Sequence, residues 1–220
     1  MNNKIKAVVF DIDGTLMPEF PELRSWLRLT SDLGLSADEL EKIFQDMRNG
    51  KISYPQAKTE LIKLWQSFGK ATKKEFSEIF SNWALKEDAE PIFKYLNGKG
   101  YKTGLITGSV DLFAEIVARK VGADEWYANT ELMWDEAGKL DDFVYTLKQG
   151  EKKLEQFKAF CAKNMLLPTE CAAVGDGEND VEIFKASGHG IAVHSPSSLH
   201  LDPFAWKKVK DLGEIEQLLP

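Results

Sequence analysis

Asp11 and Asp13 stand two residues apart at the end of the apolar run Ala7-Val8-Val9-Phe10, and Gly14-Thr15 follow them. In extended chain, residues two apart share a face, so this spacing sets two carboxylates side by side. Adjacent carboxylates repel one another unless one is protonated or a cation joins them, and an oxygen-rich pair suits Mg²⁺. An isolated Asp-x-Asp also reads as a turn or a helix cap. The apolar run before this one and the Gly-Thr after it favour the chemical reading. A second acidic cluster, Val174-Gly175-Asp176-Gly177-Glu178-Asn179-Asp180, ends another short apolar run. Its glycines permit a tight turn with the backbone close to a ligand, and Asp176 is placed to complete an oxygen-ligated magnesium site. The plain alternative is an acidic turn with Asn179 or Asp180 as a helix cap. Thr107-Gly108-Ser109 ends a third run, where a hydroxyl beside free helix N-terminal amides makes an anion cradle suited to phosphate. Lys153 can balance phosphate and carboxylate charge, with lysines 148, 152 and 158 competing for that role.

Chemistry of this kind needs strands that end together. Ile5 to Ile12 reads as one buried strand that breaks at Asp13-Gly14-Thr15. From Pro18 to Leu85 the pattern is helical only. Leu23, Trp26, Leu27 and Leu33 recur at helical spacing, as do Leu40, Ile43, Phe44 and Met47 behind a capping box of Ser36 and Glu39. Ala57, Leu61, Leu64 and Phe68 make a third stripe, and Thr72 with Glu75 caps a fourth helix carrying Phe76, Ile79, Phe80 and Trp83. From Asp88 onward helix and strand alternate, the signature of a parallel sheet covered by helices. The expected strands are Lys102 to Thr107, Ala172 to Val174 and Ile191 to Val193, with a hairpin of Tyr127 to Trp134 and Leu140 to Phe143. The expected helices run from Lys152 to Asn164 and from Asn179 to Ala186. Open parallel sheets bind ligands at the carboxyl ends of their strands, where the acidic pair, the cradle and the second cluster all fall.

The composition sets bounds. The chain has 220 residues, 43% of them hydrophobic and 29% charged, enough for a core plus a small insert. Its 28 basic against 35 acidic residues give a net charge of -7, which argues against a broad grip on nucleic acid or anionic membrane. Cys161 and Cys171 show neither metal-ligand spacing nor a disulfide framework, which fits a reducing compartment. The run at residues 7 to 10 is too short for a signal-peptide core, and no apolar stretch of about 18 residues exists to span a bilayer. A cytoplasmic protein is expected. The aromatic residues at 26, 44, 54, 65, 68, 76, 80 and 83 follow helical spacing and read as core packing rather than as a ligand box. His189, His194 and His200 read as surface or loop residues, and Trp206 with Lys207, Lys208 and Lys210 as a solvated helix face.

Taken in order, Asp11-Ile12-Asp13-Gly14-Thr15-Leu16, Leu105-Ile106-Thr107-Gly108-Ser109, Lys153 and Gly175-Asp176-Gly177-Glu178-Asn179-Asp180 resemble the four motifs of the haloacid dehalogenase superfamily of phosphohydrolases. The arrangement is most similar to the phosphoserine phosphatase-like branch. This resemblance implies an α/β fold: a Rossmann-like three-layer α/β/α core of residues 1–16 and 86–220, with residues 17–85 as a small all-helical cap. It implies that Asp11 attacks phosphorus and forms a phosphoaspartate, and that Asp13 serves as acid and then base. Asp11, the backbone carbonyl of Asp13 and Asp176 would hold Mg²⁺. Thr107, the Gly108 amide and Lys153 would hold the phosphoryl oxygens. Asp180 would orient Asp176 or Lys153, and Asn179 would touch the substrate. Lys152 is the alternative to Lys153.

The expected substrate is a small phosphorylated metabolite, with no nucleic-acid or membrane partner. One departure bears on its leaving group. The phosphoserine enzymes bind the serine moiety through a glutamate soon after the first motif and an arginine in the cap. Glu19 and Glu22 are near enough for the first role, but Leu61 stands where the arginine is expected. Arg48, Arg24 or Arg28 would serve only by a different geometry, which disfavours phosphoserine. Two rival readings keep the same residues: a phosphotransferase or mutase using Asp11, and a catalytically silent protein that binds a phosphorylated ligand.

Overall fold

The computed structural model describes residues 4–18, 25–67, 69–195 and 198–220. Glu19, Glu22, Leu23, Arg24 and Phe68, to which roles were assigned above, lie outside the described residues. The chain divides into two compact units, Met1–Glu19 with Ala84–Glu131 and Tyr145–Pro220, and Phe20–Trp83 with Leu132–Val144. Among the described residues the strands form one seven-stranded sheet.

In the first unit, β1 (Ala7–Phe10) is wholly buried and pairs in parallel with β2 (Lys102–Val110) on one side and β5 (Cys171–Gly175) on the other. A strand covered on both faces must be apolar throughout, which explains the unbroken run. Beyond β5 come β6 (Gly190–Val193) and then β7 (Lys207–Val209), both parallel. On the other side β2 pairs in parallel with β3 (Glu125–Trp134), and β4 (Leu140–Tyr145) lies at that edge. The helices of this unit are α5 (Ala89–Gly98), α6 (Asp111–Val121), α7 (Gln149–Lys163), α8 (Val181–Ser187) and α9 (Ile215–Leu218). The alternation along β1 divides its two faces. Phe10 meets Phe93 of α5 at 4.6 Å, whereas Ala7 and Val9 join Phe157, Phe160 and Phe184 in a core cluster. Asp11 has the parity of Ala7 and Val9, which turns it toward α7.

Two elements differ from the sequence expectation. The Lys102 strand does not stop at Thr107 but continues through a bulge to Val110, which pairs with Thr130 and caps α6. Thr107 and Gly108 therefore sit in a bulged strand end rather than at a helix N-terminus. Residues 207–209 are a strand and not a helix face, because Val209 pairs with Val193 and is buried while Lys207 and Lys208 remain exposed. Lysines on a short edge strand oppose sheet-to-sheet association and mask the strand signal. His189 lies in the loop before β6, half-buried, and packs edge-on against Trp206, with ring centroids 5.3 Å apart. His194 and His200 are exposed. The two thiols are buried, form no disulfide and are hydrogen-bonded to each other, with Sγ atoms 3.7 Å apart. No described helix is long and apolar enough to cross a membrane.

The second unit holds α1 (Ser25–Asp32), α2 (Ala37–Arg48), α3 (Tyr54–Gln66) and α4 (Lys73–Asn82), and it includes the hairpin residues Leu132–Val144. The hydroxyls of Ser36 and Thr72 accept from the amides of Glu39 and Glu75, as the capping pattern requires. Ser53 caps α3 through Gln56, whose side chain accepts from the Ser53 amide at 2.8 Å. The aromatic residues form the core: Trp65 stacks on Trp26 at 5.4 Å and meets Phe76 edge-on at 5.5 Å. Phe143 against Trp26 and Trp134 against Phe76 tie the hairpin to the helices, which is why it counts with this unit. Trp65 is fully buried and its indole Nε1 donates to Thr30 Oγ1 at 2.8 Å. Trp65→Phe keeps most of the packing but removes that donor, while the Thr30 hydroxyl still donates to Trp26 O at 2.8 Å, and is expected to cost about 0.5–1.5 kcal/mol in urea unfolding.

Candidate active site

Asp11 follows β1 directly, and its amide still donates to Val174 O of β5 at 2.9 Å, so its backbone is fixed by the sheet. The chain then leaves the strand. Ile12 O accepts from the amides of Thr15, Leu16 and Met17, turning the loop back on itself. Asp13 is half-buried on this turn. Its carboxylate adds to the negative field at Asp11. The three carboxylates that converge are Asp11, Asp176 and Asp180, all buried, each offering an oxygen within 4.8 Å of the others. Asp180, given only an orienting role from the sequence, thus belongs to the innermost group, and the Asp13 side chain does not.

Lys153 is fully buried beneath them. Its Nζ donates to Asp180 Oδ1 at 2.7 Å and lies 3.0 Å from Asp11 Oδ1. Burial works against its charge, but the carboxylates of Asp11 and Asp180 outweigh that and hold the ammonium more firmly than in an ordinary lysine. Lys152 points elsewhere, to Glu155 at 3.0 Å. Asp180 Oδ2 accepts from the Gly177 amide at 3.2 Å, so one carboxylate braces both the lysine and the loop that carries Asp176.

Asp176 is held by two hydroxyls, Thr15 Oγ1 at 2.8 Å to Oδ1 and Ser195 Oγ at 3.1 Å to Oδ2. Neither had been assigned this role from the sequence. Thr15 stood inside the first motif, whereas Ser195, just beyond β6, carried no signal. Thr107 is fully buried and its Oγ1 accepts from the Ser109 amide at 3.1 Å, which leaves its own proton free for an acceptor. A Cβ on Gly108 would lie 3.4 Å from Asn179 Nδ2, so the third strand end and the second acidic loop meet there.

The donor set fits a hard divalent cation. Burial raises the Asp11 carboxyl well above its usual range; Lys153 opposes this, and the charges of Asp180, Asp176 and Asp13 add to it. Burial raises Asp176 as well, against the Thr15 hydrogen bond and with the Asp180 charge. Asp11 Oδ1 is buried, with the Lys153 ammonium 3.0 Å away. One ammonium among three buried carboxylates leaves negative charge uncompensated, and such a set of oxygen ligands suits a hard cation.

Gly14 makes the close approach possible. Its φ is +79°, and a Cβ there would lie 2.1 Å from Asp176 Oδ2. Gly14→Ala is expected to swing Asp176 off its hydroxyls and to shrink the Mg²⁺-induced rise in melting temperature. A titration of melting temperature against Mg²⁺, wild type beside variant, checks this.

Residues 5–188 match the family of haloacid dehalogenase-like hydrolases, and the chain belongs to that family. Within it the chain is similar to phosphoserine phosphatases. It is 28% identical over 219 residues to the phosphoserine phosphatase of Methanocaldococcus jannaschii, covering 98% of each chain. It is 27% identical over 202 residues to that of Lactococcus lactis subsp. lactis, covering 89% of each. A solved structure of the phospho-aspartyl intermediate analogue of phosphoserine phosphatase superposes with a TM-score of 0.73 at 25% identity, covering 99% of this chain and 100% of the other.

Proposed function

We propose that the protein is a Mg²⁺-dependent phosphatase that hydrolyses a small phosphomonoester through a phosphoaspartate on Asp11. The observation that carries this is the buried group of Asp11, Asp176 and Asp180 around Lys153 at the strand ends. Asp11 Oδ attacks phosphorus in line, the ester P–O bond breaks, and Asp13 gives its proton to the leaving alkoxide. Asp13 then takes a proton from water as that water attacks phosphorus, releasing phosphate and restoring Asp11. Thr107, the Gly108 amide and Lys153 hold the phosphoryl oxygens, and Asn179 contacts the substrate. Asp11, the Asp13 carbonyl and Asp176 are the ligands of Mg²⁺, which when bound offsets charge on the phosphoryl oxygens. Asp180 positions Lys153.

The division into a core of 1–16 and 86–220 and a cap of 17–85 is part of this reading, although the hairpin residues Leu132–Val144 group with the helical unit. Phosphoserine is the first compound to try, since the relatives carry that name. Leu61 weighs against it: it is 2% exposed within α3, packed rather than offered to a carboxylate. The test is Mg²⁺-dependent phosphate release across a panel of small phosphomonoesters, with Asp11→Asn as the blank. Release from one ester, lost with chelator, supports the reading. Folded protein that releases none but passes phosphate to an added hydroxyl acceptor supports the phosphotransferase, and protein that only binds phosphate supports the silent ligand-binding role.

A further inference from the structure

We infer that Asn129 and Gln149 act as one positioning unit that sets the Gly108 peptide of the phosphate cradle. This rests on the phosphatase reading above. Gly108 lies in the bulge of β2, where the regular pairing with β3 is interrupted between Thr107 and Val110. A bulge re-aims backbone groups but leaves them less constrained by the ladder, so something else must hold the peptide. Gln149 supplies a contact: a Cβ on Gly108 would lie 2.9 Å from Gln149 Oε1, so the carboxamide rests directly on the glycine backbone. Only glycine permits that approach.

Gln149 is itself fixed from two sides. Its Nε2 donates to Thr146 O, and its Oε1 accepts from Asn129 Nδ2 at 2.6 Å. Asn129 Nδ2 also reaches Gln149 O at 3.2 Å. Asn129 is 3% exposed on β3, and the next residue, Thr130, sends its hydroxyl to Gly108 O at 3.5 Å. The cradle peptide is thus gripped from β3 and from the first turn of α7. Gln149 and Lys153 are four apart, on one face of α7, so the residue that steadies Gly108 and the residue that meets Asp11 move together. Gln156, three residues past Lys153, docks the same helix to the same strand through Ala128 O at 2.8 Å, beside Asn129 and level with Thr107, whereas Asn164 at the far end of α7 donates to Glu125 Oε1 at 3.1 Å, away from the cradle.

The Asn129 carboxamide does not look optimised for stability. Its Oδ1 is buried and accepts nothing, an unsatisfied group that a leucine of similar size would remove. A cradle aimed at the charge that develops on transferring phosphoryl oxygens lowers the barrier only if its donors are already in place. Misalignment should therefore act on kcat more than on KM.

The test uses the full chain with Mg²⁺ and the best ester of the panel. Gln149→Leu and Asn129→Leu are each expected to lower kcat roughly 10–100-fold while changing KM less than about threefold. Inhibition by orthovanadate, which takes the five-coordinate geometry of phosphoryl transfer, weakens in step with kcat/KM, while each variant stays folded with a single cooperative melt. The double variant is no worse than Gln149→Leu alone, because Asn129 works through Gln149. Asn164→Ala, which loosens the far end of α7 without touching the cradle, stays within about threefold of wild-type kcat, the scale of an ordinary distant substitution. Additive losses in the double variant, a loss carried by KM, or an equal loss in Asn164→Ala overturns the inference while leaving the phosphatase reading intact. Wild-type protein that neither turns over an ester nor binds phosphate overturns both.

Discussion

Asp11→Asn is expected to abolish phosphate release, by about 10⁴-fold or more, while leaving the fold as stable as wild type or more so in the absence of Mg²⁺. The two halves have different causes. An amide is a far poorer nucleophile toward phosphorus than a carboxylate, so the covalent route closes. Stability moves the other way because Asp11 sits in an excess of negative charge. Its carboxyl is raised by burial and by Asp180, Asp176 and Asp13, with Lys153 alone opposing. A neutral side chain of the same shape removes that repulsion, and Lys153 keeps Asp180 as its partner at 2.7 Å. Functional carboxylates gathered in a buried site commonly trade stability for chemistry in this way. Melting curves with and without Mg²⁺ separate the effects: the variant matches or exceeds wild type in chelator and gains less when Mg²⁺ is added. A variant melting well below wild type in chelator would falsify the charge-excess account.

The chemical residues were legible because each strand end announces itself. Apolar runs stop at Asp11, at Thr107 and at Asp176, and a parallel sheet brings those stops to one edge. Lys153 was legible in part. Lysines 152 and 153 are equivalent by distance from Asp176, but only position 153 continues the buried stripe of Gln156, Phe157, Phe160 and Cys161 along α7, and helical period alone separates them. Other features had no such signal. Ser195, Asn129 and Gln149 are neutral side chains in irregular or half-exposed segments, and they matter through partners 19 to 20 positions away. Spacing rules reach one helical turn or one strand and cannot report such contacts. The strand at 207–209 was hidden by its lysines, and the continuation of β2 to Val110 by the Gly108 that ordinarily marks a stop. Leu61 is the reverse case, since its place in an apolar helical stripe was plain and the structure packs it as that stripe requires.

Lys153→Met should be the most damaging single change to the fold, costing about 3–5 kcal/mol at neutral pH and most of the activity with it. Methionine fills much the same volume, so no large cavity explains the loss. What remains is a pair of buried carboxylates, Asp11 and Asp180, that had faced one ammonium at 3.0 and 2.7 Å and now face each other. Removing one partner of a buried ion pair leaves the desolvation cost of the other uncompensated. The sign of the pH dependence follows. Asp11 already binds its proton more tightly in the folded protein than in the unfolded chain, because burial outweighs Lys153, and losing the lysine strengthens that preference. A group with a raised folded-state pKa contributes stability that is present below the unfolded value and lost as pH rises through the folded one. The deficit of Lys153→Met should therefore be largest near neutral pH and shrink as the medium is acidified and Asp11 takes up its proton. Mg²⁺ should also narrow it by supplying the missing positive charge, without restoring the donor to the phosphoryl oxygens, so stability recovers and turnover does not. Urea unfolding at several pH values, each with Mg²⁺ and with chelator, reads both trends. A deficit that is independent of pH and of metal would mean that Lys153 serves by packing alone, which its two short contacts to carboxylates argue against.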